Sequence, residues 1–299
     1  MKARYPTPDA FRQALEQRLR SATPDGSEFV RRRQLLVFDR FLARIDAVFG
    51  NAAILKGGLV LELRIERARS TKDVDLHLSG APADTLARLQ EAGELNLGDF
   101  MRFEVIADAI HPEITSPGMR YDGLRFRATC LLGGRLYGQP FGVDVGFGDP
   151  MHGKPDLVQA DDLLGFAGVA PPKLRLYPLV THIAEKLHAY TMPRTRPNSR
   201  VKDLPDLALL ATVRKLAAKD LLAACSQTFI FRNTHPQPLE LPAPPSSWEK
   251  PYAAMAREDR LQWSTLTEVA VAAKAFLDPV LAGQHSGTWD PATWHWLRK

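Results

Sequence analysis

The chain has 299 residues, 45% of them hydrophobic, enough to bury one large core or two modest ones, and two lobes is the expected arrangement. Its 39 lysines and arginines against 34 aspartates and glutamates leave a net charge of +5, and a pI near 9.2 suits a polyanionic partner. No apolar run approaches bilayer length and residues 1–6 carry no signal-peptide apolar region, so a cytoplasmic protein without membrane contact is expected.

From the N-terminus, Thr7 caps a helix that has Pro8 at its first position, and Phe11, Leu15 and Leu19 fall on one stripe. The turn Thr23-Pro24-Asp25-Gly26 closes it, and a longer helix over about residues 28–48 turns Leu35, Phe38, Leu42 and Ile45 inward. Arg31, Arg32 and Arg33 on that helix form a solvated face or touch nucleic-acid phosphates. Residues 52–55 are a short buried strand and Lys56-Gly57-Gly58 a tight turn. A helix then starts at about residue 59, and its first backbone N–H groups can hold a triphosphate. In Thr71-Lys72-Asp73-Val74-Asp75-Leu76, strand alternation puts Asp73 and Asp75 on one face and Val74 and Leu76 on the other, toward a core. The two carboxylates can therefore share a divalent metal. Arg67, Arg69 and Lys72 flank this strand as phosphate-binding candidates, and the Thr71 hydroxyl can bond a phosphate or cap the strand.

Residues 81–92 read as a helix and 103–107 as a strand, while 124–130 pairs with a following strand across Gly133-Gly134 to extend a mixed sheet. Residues 141–146 alternate so that Val143 and Val145 face the core and Asp144 projects from the other face, a candidate third carboxylate or an edge-strand aspartate. Pro171-Pro172 marks the boundary between residues 1–170, a sheet lobe with N-terminal helices, and residues 171–299, a mainly helical lobe. Pro178 opens a helix on which His182, Lys186 and Tyr190 form one strip. Residues 193–200, with Arg194, Arg196 and Arg200, are a basic loop placed to meet phosphates or an ordinary surface connection. Pro205 fits the first turn of the next helix, so Asp203 and Asp206 lie near its positive end; capping is the expected role of Asp203. Residues 236–245 are a proline-rich connector, and Trp248, Trp263, Trp294 and Trp296 belong mostly to core packing. Cys130 and Cys225 form no metal-ligand spacing and read as reduced, buried residues. There is no Gly-x-Ser-x-Gly elbow, no Cys/His cluster and no Walker loop, which excludes the usual serine-hydrolase, zinc and P-loop readings, and the elements of a protein kinase are missing.

Three segments together resemble the AbiEii-type nucleotidyltransferase toxins, including the mycobacterial MenT group: Lys56-Gly57-Gly58, Ser70-Thr71-Lys72-Asp73-Val74-Asp75, and Ile183-Ala184-Glu185-Lys186-Leu187-His188-Ala189 with Lys202-Asp203-Leu204-Pro205-Asp206-Leu207 behind it. The resemblance implies an α+β protein, with a polymerase-beta-like nucleotidyltransferase lobe of mixed sheet and flanking helices followed by a mainly helical lobe. It implies that Asp73, Asp75, Lys186 and Asp206 are catalytic, and that Lys56, Gly57, Gly58, Arg67, Thr71 and Lys72 meet the nucleotide. Asp73, Asp75 and Asp144 would bind Mg²⁺, in a two-ion site, with a nucleoside triphosphate as substrate. Family members act as toxins of two-gene toxin–antitoxin systems, and several add nucleotides to the 3′ acceptor end of tRNA, so a tRNA or other RNA acceptor and a cognate antitoxin are the implied partners. Leu59 departs from the family's usual Ser or Thr after the glycine pair. That departure keeps in view a weakly active or non-catalytic module binding nucleic acid or antitoxin; transfer to a protein acceptor is a separate alternative.

Overall fold

The computed structural model describes residues 4–23, 26–65, 71–80, 82–114, 123–194, 200–284 and 286–298. Helix α1 spans Pro8–Ser21 and starts as its sequence dictates: Thr7 is extended and its hydroxyl accepts the Ala10 N–H at 3.2 Å, with Pro8 following. Phe11, Leu15 and Leu19 are its buried stripe. Helix α2, Gly26–Phe49, lies next to it. Two arginines of α2, Arg40 and Arg44, are fully buried and converge on Asp99, at 2.8 and 2.7 Å. Burial pushes the Asp99 carboxyl up, but the Arg44 hydrogen bonds and the two guanidinium charges outweigh it and hold the group below its ordinary range.

The chain then lays down β1 (Ala53–Lys56), α3 (Gly57–Arg64), β2 (Asp73–Leu78), α4 (Thr85–Glu94), β3 (Met101–Ala107), β4 (Gly123–Leu132), β5 (Arg135–Leu136), β6 (Phe141–Phe147), β7 (Asp156–Gln159) and β8 (Lys173–Leu176). A single 3-10 turn at Pro82–Asp84 precedes α4, so the helix expected from residue 81 begins at Thr85. These strands form one mixed sheet in the order β3-β4-β6-β2-β1-β8-β7, with β5 on β4. The central pair β2/β6 is parallel, and β1/β2 and β4/β6 are antiparallel. One face of the sheet is the core expected from the alternation: Val74, Leu76, Val143 and Val145 pack with Phe38, Phe41, Phe103 and Phe141 under α1, α2 and α4.

Strand β8, beyond Pro171-Pro172, pairs in parallel with β1, so the chain returns to the sheet before it turns helical at Pro178. There follow α5 (Leu179–Thr191), α6 (Asp203–Ala211), β9 (Leu216–Ala217), α7 (Ala218–Arg232), α8 (Glu249–Glu258), α9 (Leu266–Leu281), β10 (Thr288–Asp290) and β11 (His295–Leu297). Their apolar side chains form a second core around Leu207, Leu210, Phe276, Leu277 and Trp289, into which α3 contributes Leu61. Sequence periodicity gives helices here; the small β9-β10-β11 sheet carries no such signal because its strands are two or three residues long. The tryptophans serve packing: Trp248 is buried, and Trp263, Trp294 and Trp296 lie against this core. Cys130 and Cys225 are buried free thiols, and burial pushes each up to about 12.

Candidate active site

Strand register assembles the site. Lys56 stands opposite Asp75, Asp75 opposite Asp144, and Asp144 opposite Arg125, so a cross-strand row on β1, β2, β6 and β4 reads cation, anion, anion, cation. Asp73 lies beside it, opposite Gly142. Two glycines leave space for the acids. A Cβ on Gly142 would sit 2.6 Å from an Asp73 oxygen, and one on Gly57 only 1.8 Å from Asp75 Oδ2. Gly57 also takes φ +70°, a conformation that other residues adopt only at a cost. The Lys56-Gly57-Gly58 turn is thus the seat of the Asp75 carboxylate as well as the start of α3.

Lys56, Gly57, Gly58, Thr71, Lys72, Asp73, Asp75, Asp144 and Lys186 all line one cleft of about 440 Å³ between the carboxylate-bearing face of the sheet and the helices. Asp206 does not line it, and Arg67 lies outside the described residues, as do Arg69 and Arg196. Asp75 is half-buried and enclosed by the cleft walls. That burial, with Asp144 and Asp73 adding repulsion against the pull of Lys56 and Lys186, pushes its carboxyl up to about 6. Asp144 gives both oxygens to Arg125, each at 2.8 Å. Among the described residues no three acidic, histidine or cysteine side chains close into a compact metal cage, so the expected trio shares a cleft rather than a preformed three-ligand shell.

Lys186 projects from α5 as its helix position requires. Its ammonium is 2.7 Å from Asp206 and 3.0 Å from Asp203, both fully buried. The capping role expected of Asp203 is corrected here: the start of α6 has no side-chain cap, and Asp203 faces Lys186 and, at 3.5 Å, Arg200. The two aspartates hold the amine from behind while its tip meets the cleft. Within the chain, the Thr71 N–H donates to Glu62 and its hydroxyl to the Asp73 carbonyl. Lys72 is exposed at the rim. The arginine run on α2 is engaged by carboxylates: Arg31 by Glu62, Arg32 by Glu28 and Arg33 by Glu16.

Three groups that sequence reading missed, Asp149, Glu185 and Arg232, complete the floor. Lys56 is 2.8 Å from Asp149 and 3.9 Å from Glu185, and Arg232, at the end of α7, reaches both acids at 3.5 and 3.3 Å. Burial pushes Asp149 up, but Lys56 and Arg232 hold it below its ordinary range. Arg232 also sets a directed chain of hydrogen bonds, because a guanidinium can only donate. It donates to His188 Nδ1; His188 Nε2 therefore donates to Thr234, Thr234 to His235 Nδ1, and His235 Nε2 to Thr191, whose hydroxyl ends on the Leu187 carbonyl. Burial and the Arg232 charge push His188 down to about 3, which keeps it neutral in this tautomer. Only Glu185 lay in a segment with a sequence signal; Asp149 and Arg232 come from a loop and a helix end with no periodic marker.

The profile of the family described as nucleotidyl transferase AbiEii toxin, type IV toxin–antitoxin system, matches residues 40–286. The chain belongs to that family. Among solved structures, MenT4, a nucleotidyltransferase toxin of Mycobacterium tuberculosis H37Rv, is similar over 91% of this chain and 99% of its own, at 15% identity and a TM-score of 0.51. A putative nucleotidyltransferase from H. pylori covers 84% of this chain and 96% of its own at 13% identity and TM-score 0.45. JHP933 from Helicobacter pylori covers 85% and 94% at 14% identity and TM-score 0.44. No curated protein matches in sequence. The AbiEii membership bears out the resemblance carried by the Lys56-Gly57-Gly58, Asp73-Val74-Asp75 and Lys186 segments, and the MenT4 likeness bears out the fold. No described helix is long and apolar enough to cross a membrane.

Proposed function

We propose that this AbiEii protein transfers a nucleoside monophosphate from a nucleoside triphosphate to the 3′ acceptor end of tRNA, in the cytoplasm, as the toxin partner of a cognate antitoxin. The observation that carries the proposal is the convergence of Asp73, Asp75 and Asp144 on a cleft whose opposite wall presents Lys186.

The residues fit a divalent cation. Mg²⁺ takes oxygen ligands, the three carboxylates supply them, Gly57 and Gly142 leave room around two of them, and the mutual repulsion at Asp75 is what a cation relieves. Asp73 and Asp75, with Asp144, would hold it. When bound, Mg²⁺ neutralises negative charge on the triphosphate and on the reacting oxygens. The protein's own groups do the rest. Lys186, pinned by Asp203 and Asp206, presents a compact ammonium to the departing pyrophosphate. Backbone N–H groups at the start of α3 and the rim residues Thr71 and Lys72 orient the phosphates. Lys56, fixed by Asp149, holds Asp75 in place rather than reaching freely for nucleotide. Leu59 is buried beneath this turn, so its side chain supplies core packing where the family usually has a hydroxyl.

The test is incubation of the purified protein with Mg²⁺, each labelled nucleoside triphosphate and total RNA. A tRNA-sized product is expected, and Asp73→Ala lowers its formation by about 10²-fold or more. Labelling that persists in that variant assigns the chemistry elsewhere. Mg²⁺-independent RNA binding with no incorporation of any nucleotide supports the non-catalytic module instead.

A further inference from the structure

The sheet indicates how the acceptor reaches the carboxylates. On the face that bears them, the strands run β1, β2, β6, β4, β3. The helical wall stands at the β1 end, where Glu185 of α5 approaches Lys56. At the other end, outside the cleft lining, β4 presents Arg125 opposite Asp144 and Arg127 opposite Gly142, the position that itself faces Asp73. This end is open to solvent: Arg127 is exposed, and Ile106 of β3, opposite Arg127, is 59% exposed. Among the described residues no carboxylate pairs with Arg127, whereas Arg102 at the far edge is spent on Glu94 and Glu104. Arg125 uses Nε and Nη2 on Asp144, which leaves Nη1 turned elsewhere.

We infer that the open β4–β3 face receives the nucleic-acid strand that ends in the accepting hydroxyl, with Arg127 and Arg125 holding its backbone phosphates and Ile106 lying against a base or sugar. The inference rests on the nucleotidyl-transfer reading and adds the acceptor's route to it. Phosphoryl displacement places the attacking and leaving oxygens roughly in line. With Lys186 taking the leaving pyrophosphate at the helical end, the attacking hydroxyl enters from the β4 end. It forms the new bond to the α-phosphorus as the bond to pyrophosphate breaks, and its proton is released to solvent. Arg127 is about two strand spacings, roughly 10 Å, from Asp73, so phosphates next to the reacting hydroxyl come to lie over β4. A planar guanidinium suits that contact, and phosphate contacts fix register without reading sequence. The face therefore takes a polyanionic strand, in keeping with the chain's excess of basic residues.

The full-length protein is assayed with Mg²⁺, labelled nucleoside triphosphate and a total tRNA pool. Arg127→Ala is expected to raise the KM for tRNA about tenfold while the KM for triphosphate stays put, and Arg127→Lys recovers part of the loss. In nucleotide-free tRNA binding, the log affinity–log salt slope becomes shallower by about 0.7, the loss of one single-strand phosphate contact. A wild-type KM for tRNA and an unchanged salt slope in Arg127→Ala overturn the inference, including the case where the variant weakens only capture of a protein. If the parent protein labels no RNA, the transfer reading fails; the salt slope of tRNA binding still decides whether the β4 face grips the strand.

Discussion

Replacing Gly57 by alanine isolates the seat of Asp75. Two costs follow from the structure. The first is conformational: φ at Gly57 is +70°, and an L-residue in the left-handed region loses roughly 1–2 kcal/mol. The second is steric, since the new Cβ would lie 1.8 Å from Asp75 Oδ2, where real contacts stay beyond 3.0 Å, and Asp75 must retreat by about 1.2 Å. Gly134 is the matched control: its φ is +79°, and a Cβ there meets nothing within 4 Å. Gly134→Ala should lose about 1–2 kcal/mol in urea denaturation, and Gly57→Ala, which adds the clash with Asp75, at least as much. Their transfer rates should then part company, because misplacing a reacting group by about 1 Å costs on the order of 10²-fold. Single-turnover transfer at saturating triphosphate, measured on protein shown to be folded by circular dichroism, gives the comparison. Equal rates for the two variants would refute the reasoning that Gly57 exists to admit the Asp75 carboxylate.

Asp206→Asn keeps the shape of a buried side chain but removes the closer of the two charges holding Lys186, so kcat should fall about tenfold or more with the fold retained; unchanged kcat and triphosphate KM would show that Asp203 alone suffices. Far from the cleft, burial pushes Asp39 up to about 7 from an ordinary 3.8, with Arg40 opposing and Asp161 and Asp99 reinforcing. The folded state therefore binds more protons than the unfolded one between about pH 4 and 7, and stability falls as pH rises through that window. Asp39→Asn, which mimics the protonated carboxyl, should exceed the parent's stability at pH 8 by at least about 1 kcal/mol, with the gain fading toward pH 4. A gain independent of pH would remove ionisation as its cause.

Local chemistry made much of the site legible. Period-two alternation sets Asp73 and Asp75 on one face and Asp144 on the matching face of its own strand, and helix spacing lets Lys186 project, because these depend on residues within a few positions of one another. Thr7 and Pro8 mark the start of α1 for the same reason. The Lys186 and Asp206 assignments came from family resemblance, since neither residue carries a local signal for chemistry. What the sequence left undecided is whatever depends on pairing between distant segments. Alternation cannot fix the register that sets Asp75 against Asp144 and Arg125, or show that Lys56 would be claimed by Asp149. Nor could it give Asp203 a share in Lys186 instead of a helix cap, or bring Arg232 from the end of α7 to the floor of the cleft. Those contacts arise when the sheet and helices close on two separate cores, and a charged side chain buried there is retained only where a partner from elsewhere in the chain meets it.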